Sequence, residues 1–282
     1  MQGRHVAITG PTAGIGRCAA LELARRGAAV TLLCRDPARG EALREEIAAD
    51  SGATAEVIQL DLASLASVRS AAQALLALGS PLHVLLNNAG VINTRRRESA
   101  DGFEETLAVN HLAPFLLTGL LLPALQQAED GRIVNVASAA HEFVRGMGWE
   151  DMQAQESYKT FREYGRSKLA NILFTRNLAR RLEDSGITVN CLHPGPVATS
   201  LGKNNGLLGR AATAVLKPFF RSPERGAETS VYLCCSDEIA GTSGAYFYNC
   251  REKTPRPWAL DEAEARKLWE FSEECTGFSY PV

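Results

Sequence analysis

From its first residues to beyond residue 240, this chain alternates short apolar runs with helically patterned segments, and no other feature narrows its folds as much. The runs at 5–9, 29–33, 56–60, 83–86, 132–136, 187–192 and 245–247 are apolar almost throughout, as strands covered on both faces are. Helical patterns lie between them at about 16–26, 38–51, 65–78, 104–127 and 224–234, with another carrying Tyr164 and Lys168. An amphipathic helix at about 261–274 follows the last run. A strand that feeds a helix returns in parallel beside its predecessor. The pattern therefore predicts an α/β chain: a single-domain, doubly wound Rossmann fold whose seven-stranded, mostly parallel sheet has helices on both faces. No internal repeat, low-complexity tract or linker interrupts it, so residues 1–282 read as one domain.

Composition closes off several classes of function. With 45% hydrophobic and 22% charged residues, the 282-residue chain has ordinary globular material and can bury a sizeable core. Its net charge is -2 with both signs interspersed, so no nucleic-acid partner is expected. Seven cysteines (Cys18, Cys34, Cys191, Cys234, Cys235, Cys250, Cys275) show no Cys-x-x-Cys spacing, which predicts reduced thiols and a cytoplasmic location. The five histidines lack metal-ligand spacing, and no metal is expected. A strand-like segment begins almost at Met1, so no signal peptide is expected. The most apolar run, 111–125, carries Pro114 and Pro123 and falls short of the ~18 residues of a membrane span; it reads as a buried helix, with no membrane span expected.

Chemistry concentrates at the ends of the strands. Tyr164 and Lys168, four apart on a helix, stand one above the other. A phenol titrates near ~10, and a cation within about 4–6 Å lowers that value, so the pair reads as a device for exchanging a proton near neutral pH. A half-exposed surface tyrosine would show the same spacing. The turn Thr9-Gly10-Pro11-Thr12-Ala13-Gly14-Ile15-Gly16 leaves the first strand and opens a helix, whose unpaired N–H groups favour a pyrophosphate. Its spacing, Gly-x-x-x-Gly-x-Gly, departs from the commoner Gly-x-Gly-x-x-Gly. After the second strand, Leu33-Cys34-Arg35-Asp36 offers an arginine, which suits the 2′-phosphate of NADP(H), where an acid would suit the ribose of NAD(H). The alternative is a solvated loop charge paired with Asp36. Asp61-Leu62, Asn87-Asn88-Ala89-Gly90, Ala137-Ser138 and Pro194-Gly195-Pro196-Val197-Ala198-Thr199 stand at the ends of strands three to six. Singly, each is ordinary turn chemistry. Together they gather a hydroxyl, a phenol, an ammonium and several glycines at the edge where such sheets bind ligands.

On these residues the sequence resembles the short-chain dehydrogenase/reductase family, whose cofactor turn reads Thr-Gly-x-x-x-Gly-Ile-Gly. The matching positions are Thr9 to Gly16, Asn87 to Gly90, Asn110, Ser138, Tyr164, Lys168 and Pro194-Gly195. It is similar to the retinol dehydrogenase-like subgroup through Leu33-Cys34-Arg35-Asp36, Val134-Asn135-Val136-Ala137-Ser138 with His141, Ser167-Lys168-Leu169-Ala170-Asn171, His193-Pro194-Gly195 and Leu268-Trp269-Glu270. The resemblance implies that Tyr164 is the general acid and base, with Lys168 lowering its pKa and holding the nicotinamide ribose. It implies that Ser138 binds the substrate oxygen and that Asn110 holds a proton-relaying water. Gly10, Gly14 and Gly16, with Thr12 and Ile15 in the same turn, would carry the pyrophosphate, and Arg35 the 2′-phosphate. Asp61 and Leu62 would hold the adenine, and Asn88, Ala89 and Gly90 would lie along the ribose. Pro194, Gly195, Val197 and Thr199 would bracket the nicotinamide. Ala137 stands where many relatives have a second serine, and the sequence shows no apolar N-terminal segment like that of membrane-bound retinol dehydrogenases.

The expected function is an NADP(H)-dependent oxidoreductase that moves a hydride between nicotinamide and a carbonyl or alcohol carbon. The rival is a catalytically silent NADP(H)-binding sensor or interaction protein of the same fold. Segments at about 139–157 and 198–222 are expected to form substrate lids. Their apolar residues (Phe143, Val144, Met147, Trp149, Leu201, Leu207, Leu208, Val215, Leu216, Phe219, Phe220) suit a small apolar aldehyde, ketone or alcohol. Relatives pair through the long helices after strands four and five, so a homodimer or homotetramer is the default expectation.

Overall fold

In the computed structural model, which describes residues 1–197 and 221–281, β1 (His5–Thr9) and β2 (Ala29–Cys34) lie side by side in parallel. They are joined through α1 (Gly14–Arg25). The chain continues with α2 (Pro37–Ser51), β3 (Ala55–Gln59), α3 (Leu65–Leu76), β4 (Val84–Asn87), α4 (Glu105–Leu125) and β5 (Arg132–Val136). Then come α5 (Thr160–Arg181), β6 (Thr188–Leu192), α6 (Pro223–Cys235), β7 (Tyr246–Tyr248), β8 (Arg251–Glu252) and α7 (Glu262–Thr276). The strand order is β3-β2-β1-β4-β5-β6-β7-β8. The order reverses between β1 and β4, and the loops there open the crevice in which doubly wound sheets take their ligands.

The sheet has eight strands where the sequence predicts seven. β8 pairs antiparallel with β7 across a two-residue turn, Asn249 and Cys250, both at positive φ (51° and 57°). Two positive-φ residues are what a type I′ hairpin turn demands. The sequence supplies no glycine there, and an exposed Arg-Glu pair shows no apolar period, so the strand leaves no signal.

Successive strand residues face different helix layers. Val6, Ile8, Val30, Leu32, Val84, Leu86 and Val134 pack with α1, α2 and α6, whereas Ala7, Leu33, Leu85, Ile133 and Val189 pack with α3, α4, α5 and α7. Covering both faces removes any need for polar alternation, hence the continuous apolar runs.

α4 revises the reading of the apolar run. The whole 21-residue helix is long and apolar enough to cross a membrane by length and composition, but 89% of its most apolar 18-residue stretch is buried inside the protein. Phe115 sits at its centre against Phe174, Trp269 and Tyr280. Within α4, residues Ala108–Leu112 wind as a single π turn. Such turns collect at functional sites because they push a side chain out of register.

Candidate active site

Ser138 follows the last residue pair of β5, and three contacts fix its backbone. The Ala137 amide donates to Leu192 O at 2.7 Å. The amide and Nδ1 of His141 both donate to Ser138 O, at 3.3 Å and 2.7 Å. The Ser138 hydroxyl accepts from the Ala140 amide at 3.1 Å, capping the short 3-10 turn Ala139–Phe143.

Tyr164 and Lys168 stand on the first half of α5, with Lys168 Nζ 5.7 Å from the centre of the phenol ring. Lys168 is 3% exposed, and its amine donates to Val136 O at 2.9 Å. Burial pulls its pKa down to about 8. Burial also pushes the Tyr164 phenol above its ordinary value, while its hydrogen bond with Ser138 acts the other way. The ammonium stands within the distance at which a cation favours the phenolate, and desolvation of the phenol acts against it. Desolvation of the phenol is a larger influence on it than the Ser138 hydrogen bond.

Asn110 sits on the π turn of α4, with Oδ1 accepting from the Val91 amide at 2.7 Å. Its Nδ2 donates to Val91 O at 3.0 Å and to Ser167 Oγ at 2.9 Å, tying α4 to α5 directly beside Lys168. A Cβ added to Gly90 would stand 3.2 Å from Asn110 Oδ1 and 3.4 Å from Lys168 Nζ. The structure therefore brings Gly90, Asn110, Lys168, Tyr164 and Ser138 together.

The glycine turn is locked to the end of β4. Thr9 Oγ1 accepts from the amides of Asn88 and Ala89, each at 3.0 Å, and Asn88 Nδ2 donates to Thr9 O at 2.9 Å and Gly10 O at 3.3 Å. Gly10 turns at φ +64° and Gly14 at +53°. A Cβ at Gly16 would lie 2.4 Å from both Asn88 Nδ2 and Gly10 O, so only glycine fits. α1 then starts without a side-chain cap and without an acid in its first turn. Its leading N–H groups are left to an anion, and the cradle fits a dinucleotide pyrophosphate. Thr12 lies in the turn, and Ile15 is buried beneath it toward Gly226 and Val197.

Arg35 is exposed just past β2. Asp36 does not pair with it among the described residues; its carboxylate caps α2, accepting from the amides of Ala38 and Arg39. Asp61 Oδ1 accepts from the Ala63 amide at 3.0 Å, and Leu62 is buried at the same edge. Pro194, Gly195 (φ +80°) and Val197 follow β6, with Val197 bridged to Arg221. Thr199, and most of the 198–222 segment with Leu201, Leu207, Leu208, Val215, Leu216, Phe219 and Phe220, lie outside the described residues.

Two corrections concern the 139–157 segment. Val144 and Met147 are core residues, not pocket lining, and the reason is Arg166. That buried guanidinium donates to Met147 O (2.5 Å), Gly148 O (2.7 Å) and Asp151 O (3.0 Å), and it pairs with Glu163 at 2.7 Å. Phe143, by contrast, is 66% exposed and meets the 65% exposed Phe161 edge-on.

Sequence reasoning missed Arg39, whose Nη2 donates to Thr12 O at 2.8 Å and brings a second cation to the cofactor turn. The signal was there: Asp36-Pro37 announces a helix start, which puts residue 39 on its first turn beside the glycine turn.

Comparison with known proteins agrees with this geometry. The family described as short chain dehydrogenase matches residues 4–207. Retinol dehydrogenase 14 of Mus musculus is 46% identical over 291 residues, spanning 98% of this chain and 87% of the relative. The crystal structure of an uncharacterised protein from Mycobacterium paratuberculosis superposes with a TM-score of 0.80 at 32% identity, covering 100% of this chain and 96% of the other. A protein assigned as an NAD(P)-dependent gluconate 5-dehydrogenase from Beutenbergia cavernae, solved with NADP at low occupancy, superposes with a TM-score of 0.70 at 30% identity, covering 88% and 96%.

Proposed function

This chain belongs to the short-chain dehydrogenase family, and from that premise we propose that it is an NADP(H)-dependent oxidoreductase acting on the carbonyl or alcohol carbon of an apolar aldehyde, ketone or alcohol. The observation that carries the reading is the meeting of Ser138, Tyr164, Lys168 and Asn110 at the strand ends next to the glycine turn. Bound nicotinamide supplies the hydride in reduction and accepts it in oxidation. Tyr164 holds the proton. A phenol is protonated at neutral pH at its ordinary value and burial pushes that value further up, so the residue is ready to donate to a carbonyl oxygen that gains negative charge. The Ser138 hydroxyl donates to that oxygen and steadies it. Lys168 carries a positive charge at pH 7 beside the phenol and is the group to hold the ribose hydroxyls. Asn110 holds the α4 end of the site and the water through which the Lys168 proton is replaced. Thr199 is assigned with Pro194, Gly195 and Val197 to the nicotinamide.

Preference for NADP(H) rests on Arg35, whose neighbour Asp36 is occupied as a helix cap, and on Arg39 at the same turn. The apolar substrate rests on the exposed Phe143–Phe161 pair, borne by the segments that carry Ser138 and Tyr164, and on the retinol dehydrogenases among the relatives. A cytoplasmic location is part of the same proposal, and the seven cysteines, none of them in a disulfide, support it. The test is NADPH oxidation, followed by absorbance, with a panel of apolar aldehydes. Wild type is expected to turn over, and Tyr164→Phe to lose roughly 10²-fold or more of kcat. Equal turnover by both proteins would remove Tyr164 from the mechanism, and no turnover with any carbonyl would overturn the enzymatic reading.

A further inference from the structure

His141 lies three residues past Ser138, is fully buried, and among the described residues its hydrogen bond to the groups assigned to chemistry goes to the Ser138 carbonyl. Its protonation state follows from its partners. Ser138 O can only accept, so Nδ1 carries the hydrogen in the 2.7 Å bond. The Arg256 amide can only donate, so Nε2, 3.4 Å away, supplies a lone pair. The ring is thus a neutral Nδ1–H imidazole with a defined acceptor on one side and a defined donor on the other.

The surroundings hold that ring in place. Tyr246 of β7 meets it edge-on at 5.4 Å, and Trp258 Nε1 donates to His141 O at 3.1 Å. Arg256 grips the adjacent Glu142 carboxylate with two N–H groups, at 3.0 Å and 2.6 Å. The 3-10 turn after β5 is therefore strapped to the segment between β8 and α7, which is distant in sequence, and His141 is the link that reaches Ser138.

We propose that His141 is a positioning residue: it fixes the Ser138 backbone, and so the direction of the hydroxyl, by bracing the end of β5 against residues 256–258. The proposal rests on the assignment of Ser138 to the substrate oxygen. A serine on a free loop would sample several directions, and misplacement of a catalytic group by about 1 Å costs up to about 10²-fold in rate.

The test uses the full chain, saturating NADPH and one aldehyde that the wild type reduces, with Ser138→Ala as the benchmark. His141→Phe keeps the ring and loses the donor; kcat is expected to fall about 10- to 100-fold with KM for NADPH unchanged. His141→Asn puts an N–H where Nδ1 stood and is expected to recover most of the lost kcat. His141→Gln places its amide at the Nε2 position and is expected to behave like His141→Phe. Thermal unfolding of each variant separates misfolding from misplacement, and Asn recovery keeps the proposal testable if the Phe variant is unstable. Full kcat in His141→Phe or His141→Gln overturns the proposal, as does an Asn variant no better than Phe. If Ser138→Ala turns over at the wild-type rate, the role of Ser138 falls and this proposal with it. If Ser138→Ala is impaired while His141→Phe is not, only the brace is wrong.

Discussion

Lys168 illustrates how much a single buried charge costs and why it is kept. Its pKa of about 8 means that the folded protein surrenders a proton the unfolded chain holds up to its ordinary value of 10.5. Between those values the unfolded state binds more protons, so stability rises with pH across that interval and the burial cost is felt in full below it. Lys168→Met should therefore raise stability at pH 7 by roughly 2–3 kcal/mol, and its advantage should shrink as pH climbs from 8 toward 10.5. Urea unfolding at a series of pH values checks this; a pH-independent difference would show that the amine is not held in that state. Arg35 gives the second prediction at this scale. Arg35→Ala should raise KM for NADPH about tenfold or more, the worth of a charge-assisted hydrogen bond, and leave KM for NADH nearly unchanged. Steady-state kinetics with both cofactors decides it, and equal losses would remove the 2′-phosphate from Arg35.

Among the elements, α5 bears most of the site, because one face of it presents Tyr164 and Lys168 while another grips the 139–157 segment. Arg166 makes that grip: its N–H groups satisfy three loop carbonyls and it neutralises Glu163 inside the protein. Arg162 also reaches Glu163, at 2.6 Å, so removal of Arg166 would leave the carboxylate partly compensated. Arg166→Met should cost about 3 kcal/mol and free residues 147–152. Chemical denaturation measures the loss, and limited proteolysis should find new cleavage there; a fully stable, protease-resistant variant would show the clamp to be dispensable. α4 makes its contribution through one irregularity. The π turn at Ala108–Leu112 sets Asn110 against Val91 and Ser167, and no apolar period in the sequence betrays it.

For the whole molecule, the C-terminal residues decide which surfaces remain open. α7 packs along α5, and Tyr280 sends its hydroxyl to Phe115 O at 2.5 Å while its ring lies against Trp269 and Phe115. A Cβ at Gly119 would strike Phe278 and Tyr280, so these two residues lie directly on α4. α4 and α5 are the helices through which a homodimer or tetramer was expected to form, and both are covered by their own chain. Pairing through them would require stripping off apolar contacts worth several kcal/mol. The protein should accordingly sediment as a single chain at micromolar concentration, and a stable dimer in analytical ultracentrifugation would show that another surface mediates pairing.

By itself the sequence determined the sheet, the glycine turn and the identity of the groups at the strand ends. Those features are local: a strand covered on both faces must be apolar throughout, a backbone turning at positive φ needs glycine, and a tyrosine and a lysine four apart share a helix face. It left no trace of β8, whose two exposed residues depend on a turn with Asn249 and Cys250 at positive φ. Nor could it tell Val144 and Met147 from pocket lining, since apolar side chains read alike whether they cover a core or a substrate. The states of Tyr164 and Lys168 belong to the tertiary structure alone. Burial and the choice of hydrogen-bond partner, here Val136 O and Ser138, are properties of what surrounds a side chain, and residues distant along the chain supply those surroundings.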